Sequence, residues 1–321
     1  MSVEKSEQDS MLNELKNLAK SNVSRRSVLA GAGAVGAGSL LAACGGGGSS
    51  ADVRWGNWTL YLDYDSDKKV YPTLEEFTAQ TKVSVKYLED YNDNDEFYGK
   101  VQGQLKLKKD IGYDLICPTD WMAARYIRLG YAEKLDKANI PNAKNILPAL
   151  ASVPYDTGRD YSLTWQGIMG GFTWNKEKLP KGIHTLEELF APANKGKIEV
   201  LTELRDTVGV IMMAQGVDIT KFTKDQYYNA LDFLQKKIAD GFIRQVKGND
   251  YKEDLISGDA VAVIGWSGDA FQLAAENDGK FDFAIPESGG TISADNFIIP
   301  STVTAETKPK VEELKIGRAH V

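Results

Sequence analysis

Trp266 and Asp269 stand three residues apart, just beyond the apolar run Val261–Ile264, and that pairing could hold an organic cation. A flat π-face attracts an ammonium group, and a carboxylate neutralises it. Glu203 and Asp206 follow a second apolar run, Ile198–Thr202, with the same spacing. On a helical turn they share a face, where two acids repel unless a cation or solvent separates them. Trp58 and Tyr61, Thr119 and Trp121, and Asp295 also lie at or just beyond strand-like runs. A plainer account fits each group as well: a core tryptophan, a helix N-cap aspartate, a solvated helix start.

Catalytic groupings are sparse. Of the two histidines, His184 sits beside Thr185 at a helix cap and His320 lies at the very end. The chain contains no G-x-S-x-G, no phosphate-binding loop and no H-E-x-x-H. Carboxylates alone could serve a glycoside hydrolase, with Glu203 or Asp206 set against Asp269 or Asp295. Asp90–Asn94 begins like a calcium loop but has Asp95 at the sixth place and Val101 at the twelfth, so a solvated turn is expected. No enzyme activity, cofactor or metal is expected.

The elements that must carry these residues alternate. Strands are expected at Val53–Leu62, Val83–Leu88, Tyr113–Cys117, Ile198–Thr202, Val261–Ile264, Phe281–Ile285 and Asn296–Ile299. Helices are expected at Tyr71–Thr81, Glu96–Lys108, Ala123–Leu129, Thr207–Gln215, Lys224–Ala239 and Asp269–Glu276. Thr185-Leu-Glu-Glu188 is a capping box for another helix. The order implies an α/β fold with mainly parallel sheets, whose ligands bind beyond the carboxyl ends of the strands. Every candidate residue above falls at such an end.

The composition is that of a soluble globular chain long enough for two domains. A net charge of −7 argues against nucleic acid and admits a cationic ligand. The first residues belong to export rather than to the fold. Ser24-Arg25-Arg26-Ser27 precedes the apolar Val28–Ala43, which is too short for a comfortable membrane span and suits a signal. The paired arginines resemble a twin-arginine signal, and Leu41-Ala-Ala-Cys44 resembles a lipobox whose cysteine is lipidated. Gly31-Ala-Gly33-Ala-Val-Gly36 spells the dinucleotide fingerprint, but it lies inside this signal with no strand before it. Residues 1–43 are thus the expected signal, and 44–52 the lipidated cysteine and a flexible linker. Cys117, left without a partner, is expected as a small buried hydrophobe.

Several segments stand together in one order: Asn57-Trp58-Thr-Leu-Tyr61, Asp114-Leu-Ile-Cys-Pro118-Thr-Asp-Trp121, Gly196-Lys-Ile, Leu201-Thr-Glu203-Leu-Arg-Asp206, Gly265-Trp-Ser-Gly-Asp-Ala-Phe271 and Ile285-Pro-Glu-Ser-Gly-Gly290 before Asp295 and Ile299-Pro300. This set resembles the spermidine/putrescine-binding proteins that feed ABC importers, over about residues 53–310. The resemblance implies a type II periplasmic-binding-protein fold, whose two lobes close about a hinge on an extended polyamine. It places lobe I at 53–163 plus 290–314 and lobe II at 164–289, with crossings near Leu163–Gly170 and Glu287–Ala294. By motif position, Trp58, Tyr61, Thr119, Trp121 and Asp295 would contact ligand from lobe I, and Glu203, Asp206, Trp266 and Asp269 from lobe II. The implied partners are a polyamine and an ABC permease, with the protein a monomer on the outer face of the cytoplasmic membrane. Another small cationic or polar solute is the alternative ligand.

Departures from the pattern bear on the ligand. Leu60 replaces an acid, and Ser293 an aromatic; Trp-x-x-Asp at 266 and 269 resembles putrescine-type members more than spermidine-type ones. The tail Lys315-Ile-Gly-Arg-Ala-His-Val321 resembles translated sequencing adapter, so the C-terminal part of lobe I is expected to be missing. The lipobox has a direct consequence. Cys44→Ala should release the protein from membranes into the soluble fraction, and a variant that fractionates like the parent refutes the anchor.

Overall fold

The computed structural model describes residues 51–314. The export signal, Cys44, the glycine-rich linker and the tail beyond 314 lie outside the described residues. The described chain divides into two compact units, residues 51–166 with 294–314 and residues Gly167–Ser293. These borders fall three or four residues further along the chain than the sequence suggests. Both fall inside strands, Ser162–Asn175 and Thr291–Ile298.

The first unit starts with β1 (Val53–Trp58), buried along nearly its whole length. Helix α1 (Pro72–Thr81) opens on Pro72, whose fixed φ and missing N–H suit a first helical position. It buries Leu74 and Phe77 and ends at Lys82 in the left-handed region. Strand β2 (Val85–Tyr91) then pairs in parallel with β1. The acidic stretch that begins like a calcium loop is the end of β2 and the cap of α2 (Asn94–Lys106): Asp93 accepts from the backbone N–H groups of Asp95 and Glu96. Phe97, Val101 and Leu105 form the buried stripe of α2 at helical spacing. Strand β3 (Leu115–Ile116) lies parallel to β1 on its other side, and α3 (Asp120–Arg128) follows at once. Cys117 is fully buried, as a small hydrophobe would be. Trp55 anchors the core, its ring meeting Tyr87, Phe297 and Trp165 edge-on at 5.0, 5.4 and 5.8 Å.

Strand β4 (Ser162–Asn175) carries the chain into the second unit. Its glycines dilute the strand signal in the sequence, and the packing requires them. A Cβ on Gly170 would meet Thr291 and Asp206, and one on Gly171 would meet Ala284 and Phe283. The second unit continues through α4 (Leu186–Leu189), opened by the Thr185–Glu188 capping box, then β5 (Ile198–Leu201) and α5 (Leu204–Ala214). Next come α6 (Lys224–Ala239), β6 (Ile243–Lys247), α7 (Tyr251–Ser257), β7 (Ala262–Trp266), α8 (Ser267–Glu276) and β8 (Phe281–Ala284). Strand β5 pairs in parallel with β6 and β7, whereas β4 runs antiparallel to β7 and β8. The sequence reading assigns no element to β6 or α7, because polar residues break their apolar pattern. Strand β9 (Thr291–Ile298) returns the chain to the first unit, antiparallel to β3, and α9 (Thr307–Leu314) follows. The fold is α/β: β1, β2 and β3 pair in parallel in the first unit and β5, β6 and β7 in the second, while β4 and β9, which carry the chain from one unit to the other, run antiparallel to their neighbours.

One buried acid holds β5, β6 and α7 together. Glu199, fully buried in β5, accepts from Arg244 Nη1 at 2.7 Å; the same nitrogen lies 2.9 Å from Asp254 Oδ2. Burial and the Asp254 carboxylate push the Glu199 carboxyl up to about 7. The folded chain therefore keeps a proton that the unfolded chain loses near 4.5, so stability falls as pH rises from about 4.5 to about 7. Glu199→Gln should flatten that slope in thermal melts recorded across the window. An unchanged slope would show that Glu199 does not carry it.

Candidate functional site

In the first unit the candidate residues gather where β3 gives way to α3. Thr119 occupies the N-cap position of α3 and forms an isolated antiparallel bridge with Asp295 of β9. Its hydroxyl donates to Asp295 Oδ1 at 2.7 Å and accepts from Asn94 Nδ2 at 2.9 Å. The Tyr61 hydroxyl donates to Asp295 Oδ2 at 2.5 Å. Asp295 is fully buried, so both of its oxygens depend on donors of this kind. Trp58 closes β1, with its indole N–H donated to the Cys117 carbonyl at 2.8 Å. Its ring centroid lies 6.4 Å from that of Tyr61 and 5.0 Å from that of Tyr91. Trp121, the second residue of α3, faces the Arg125 guanidinium at 5.1 Å. Tyr61, Thr119 and Asp295 thus meet directly, Trp58 stands beside Tyr61, and Trp121 carries a cation from its own helix.

Asp120 is a residue that sequence reasoning missed. It accepts from the Ala294 N–H and the Asn296 side-chain amide, each at 2.8 Å, and from the Tyr155 hydroxyl at 2.5 Å. Residues 294 and 296 flank Asp295 in β9, so Asp120 sets the strand that aims it. An acid in the first turn of a helix was the only available signal, and it is too common to be informative.

In the second unit, Glu203 occupies the N-cap of α5 and accepts from the Arg205 backbone N–H and from Arg205 Nη1, each at 3.1 Å. The Thr207 hydroxyl donates to the Leu201 carbonyl at 2.9 Å and ties this helix start to the end of β5. Asp206 is 5% exposed, which departs from a solvated helix start. Its Oδ2 accepts from the Trp266 indole at 2.7 Å, and its Oδ1 from the Thr291 hydroxyl. Burial pushes the Asp206 carboxyl up, against the pull of those two hydrogen bonds. Burial raises the Glu203 carboxyl as well, opposed by the Arg205 N–H.

Trp266 itself occupies the N-cap of α8, so Asp269 lies in the first turn and is not the capping residue. Asp269 Oδ2 accepts from the Tyr251 hydroxyl at 2.8 Å, and Oδ1 from Lys252 Nζ at 3.2 Å. The same Tyr251 hydroxyl accepts from the Trp266 N–H at 3.2 Å. Tyr251, Lys252 and Thr291 are all absent from the sequence-based set. The first two lie on α7, which the sequence does not reveal as a helix, and a threonine in a strand has no distinguishing mark. Among the described residues, no group of three or more histidine, cysteine or acidic side chains could hold a metal ion.

Each unit thus presents buried carboxylates and aromatic rings at strand-to-helix junctions. The chain is 28% identical over 274 residues to a spermidine/putrescine-binding periplasmic protein of Escherichia coli, covering 84% of this chain and 74% of that one. It is 27% identical over 262 residues to a putrescine-binding periplasmic protein of Pseudomonas aeruginosa, covering 76% and 67%. Its fold matches that of a Treponema pallidum lipoprotein with a TM-score of 0.68 at 22% identity, over 82% of this chain and 78% of that one. A spermidine/putrescine ABC transporter substrate-binding protein of Streptococcus pneumoniae gives 0.64 at 20% identity, over 83% and 76%. The family model for bacterial extracellular solute-binding proteins matches residues 73–314, most of the chain, and the protein belongs to that family.

Proposed function

We propose that the protein captures a polyamine, putrescine or spermidine, outside the cytoplasmic membrane and delivers it to the permease of an ABC importer. The observation that carries this reading is the pair of buried aspartates, Asp206 in one unit and Asp295 in the other. Each accepts from neutral hydroxyl or indole donors beside aromatic rings. At Asp206 the neutral donors soften the loss of water but leave a negative charge that an ammonium group would balance. A polyamine brings cationic ends on a methylene stem, for which carboxylates and aromatic walls are the matching chemistry. The relatives whose names state a ligand bind spermidine or putrescine, which supports this class. The fold alone would not choose it, since a similar fold is shared by a protein solved with agropinic acid.

The proposed contacts are Trp58, Tyr61, Thr119, Trp121 and Asp295 in lobe I, and Glu203, Asp206 and Trp266 in lobe II. Asp269, whose charge the buried Lys252 already balances, stands apart from this set, whereas the Arg205 that pairs with Glu203 is half-exposed. Leu60 is 45% exposed where the resemblance leads one to expect an acid, and this favours a second reading, a different small cation. We place the protein on the outer face of the membrane, held by a lipid on Cys44 and acting as a monomer without a cofactor.

Calorimetry with putrescine and spermidine tests the site. Trp266→Ala should weaken binding by about 0.5–2 kcal/mol, the worth of a cation–π contact. Asp295→Ala should cost about 2–5 kcal/mol, because it leaves an ammonium unpaired. Unchanged affinity in both variants refutes the assignment.

Burial also predicts a pH dependence. Only ionised Asp206 attracts a cation, and its carboxyl titrates above the ordinary 3.8. Affinity should therefore fall as pH drops through that raised value, and Asp206→Asn should remove this part of the profile. A profile shared by parent and variant would exclude Asp206 as the titrating group.

A further inference from the structure

The neighbourhood of Asp269 contains a cation of its own. Lys252 on α7 is 9% exposed and places Nζ 3.2 Å from Asp269 Oδ1 and 3.1 Å from Asn249 Oδ1. The Tyr251 hydroxyl takes the other carboxylate oxygen at 2.8 Å. Asp269 also lies in the first turn of α8, where the helix dipole favours its negative charge. Its oxygens are thus engaged from within the unit, one of them by an ammonium group, the same group that a polyamine carries. Asp206 differs: the Trp266 indole and the Thr291 hydroxyl that donate to it are both neutral. The two acids are linked through Trp266, whose indole reaches Asp206 and whose backbone N–H reaches Tyr251. One acid is balanced internally, and the other has only neutral donors.

We infer that Lys252 is a specificity-determining residue: its ammonium holds the place on Asp269 that a ligand ammonium would otherwise take, so that lobe II meets the ligand's charge through Asp206. This rests on the polyamine reading. Only one face of α7 is available for the role. Tyr251, Lys252 and Leu255 are buried, whereas Glu253 and Ser257 are exposed. Lys252 therefore points inward with no exposed alternative for its charge, and Asp269 is the carboxylate it reaches.

The physics of buried ion pairs supplies the test. Removing one partner leaves a stranded charge, whereas replacing both by neutral groups of similar size is close to neutral. Putrescine and spermidine binding would be measured by calorimetry on the parent, Asp206→Asn, Lys252→Met and the double variant Lys252→Met/Asp269→Asn, with thermal melting alongside. The double variant should bind both ligands within about threefold of the parent. Lys252→Met alone frees Asp269 for a ligand ammonium, so the affinity ratio of triamine to diamine should rise about tenfold. A double variant that melts like the parent but binds about 30-fold more weakly would show that Asp269 holds the ligand, overturning the inference. If the double variant does not fold, Lys252→Met decides, and an unchanged triamine-to-diamine ratio overturns it. Failure of the polyamine reading looks different, because the parent would then bind neither ligand and both proposals would fall.

Discussion

A carboxylate taken out of water must find donors or a cation, and that requirement shapes both units of this protein. Asp295 and Glu199 are fully buried, and Asp206 and Asp269 are nearly so. Each imposes demands on its surroundings that apolar packing alone would not. Asp295 requires the Tyr61 and Thr119 hydroxyls, and so fixes the loop after β1 and the start of α3. Asp206 requires Trp266 and Thr291, which tie α5 to the end of β7 and the start of β9. Glu199 draws Arg244 across from β6.

The solutions to this one problem differ in charge. Glu199 and Asp269 have a basic side chain within reach, as suits internal structure. Asp206 is held by an indole and a hydroxyl, both neutral. Local geometry makes these arrangements possible. Strands deliver their last residues to helix starts, where free backbone N–H groups and the helix dipole already favour an anion. Glu203 at the start of α5 uses both.

Much of this architecture is legible in the sequence, since its cause is local. The apolar runs at Ile198 and Val261 become buried strands, the Thr185–Glu188 box starts a helix as its residues require, and the stripe of Phe97, Val101 and Leu105 faces the core. The ordered segments around Glu203 and Trp266 likewise lie within residues 73–314, which the family model of bacterial extracellular solute-binding proteins matches. What is not legible arises from dilution. Glycines hide β4, and polar residues hide β6 and α7, because those elements are held by neighbours more than by their own pattern.

The sequence by itself determined the alternation of strands and helices, the helix caps, and the placing of acids and aromatics at strand ends. All of these follow from interactions within a few residues. Tertiary structure alone decided which acid meets which donor. Thr291 reaches Asp206 from 85 residues away, and Thr119 reaches Asp295 from 176 away. Lys252 looks like an ordinary charged residue until α7 packs beside α8 and brings it to Asp269. Local signals cannot encode such pairings, because a hydrogen bond or ion pair depends on distance in space, and only the packed chain sets that distance.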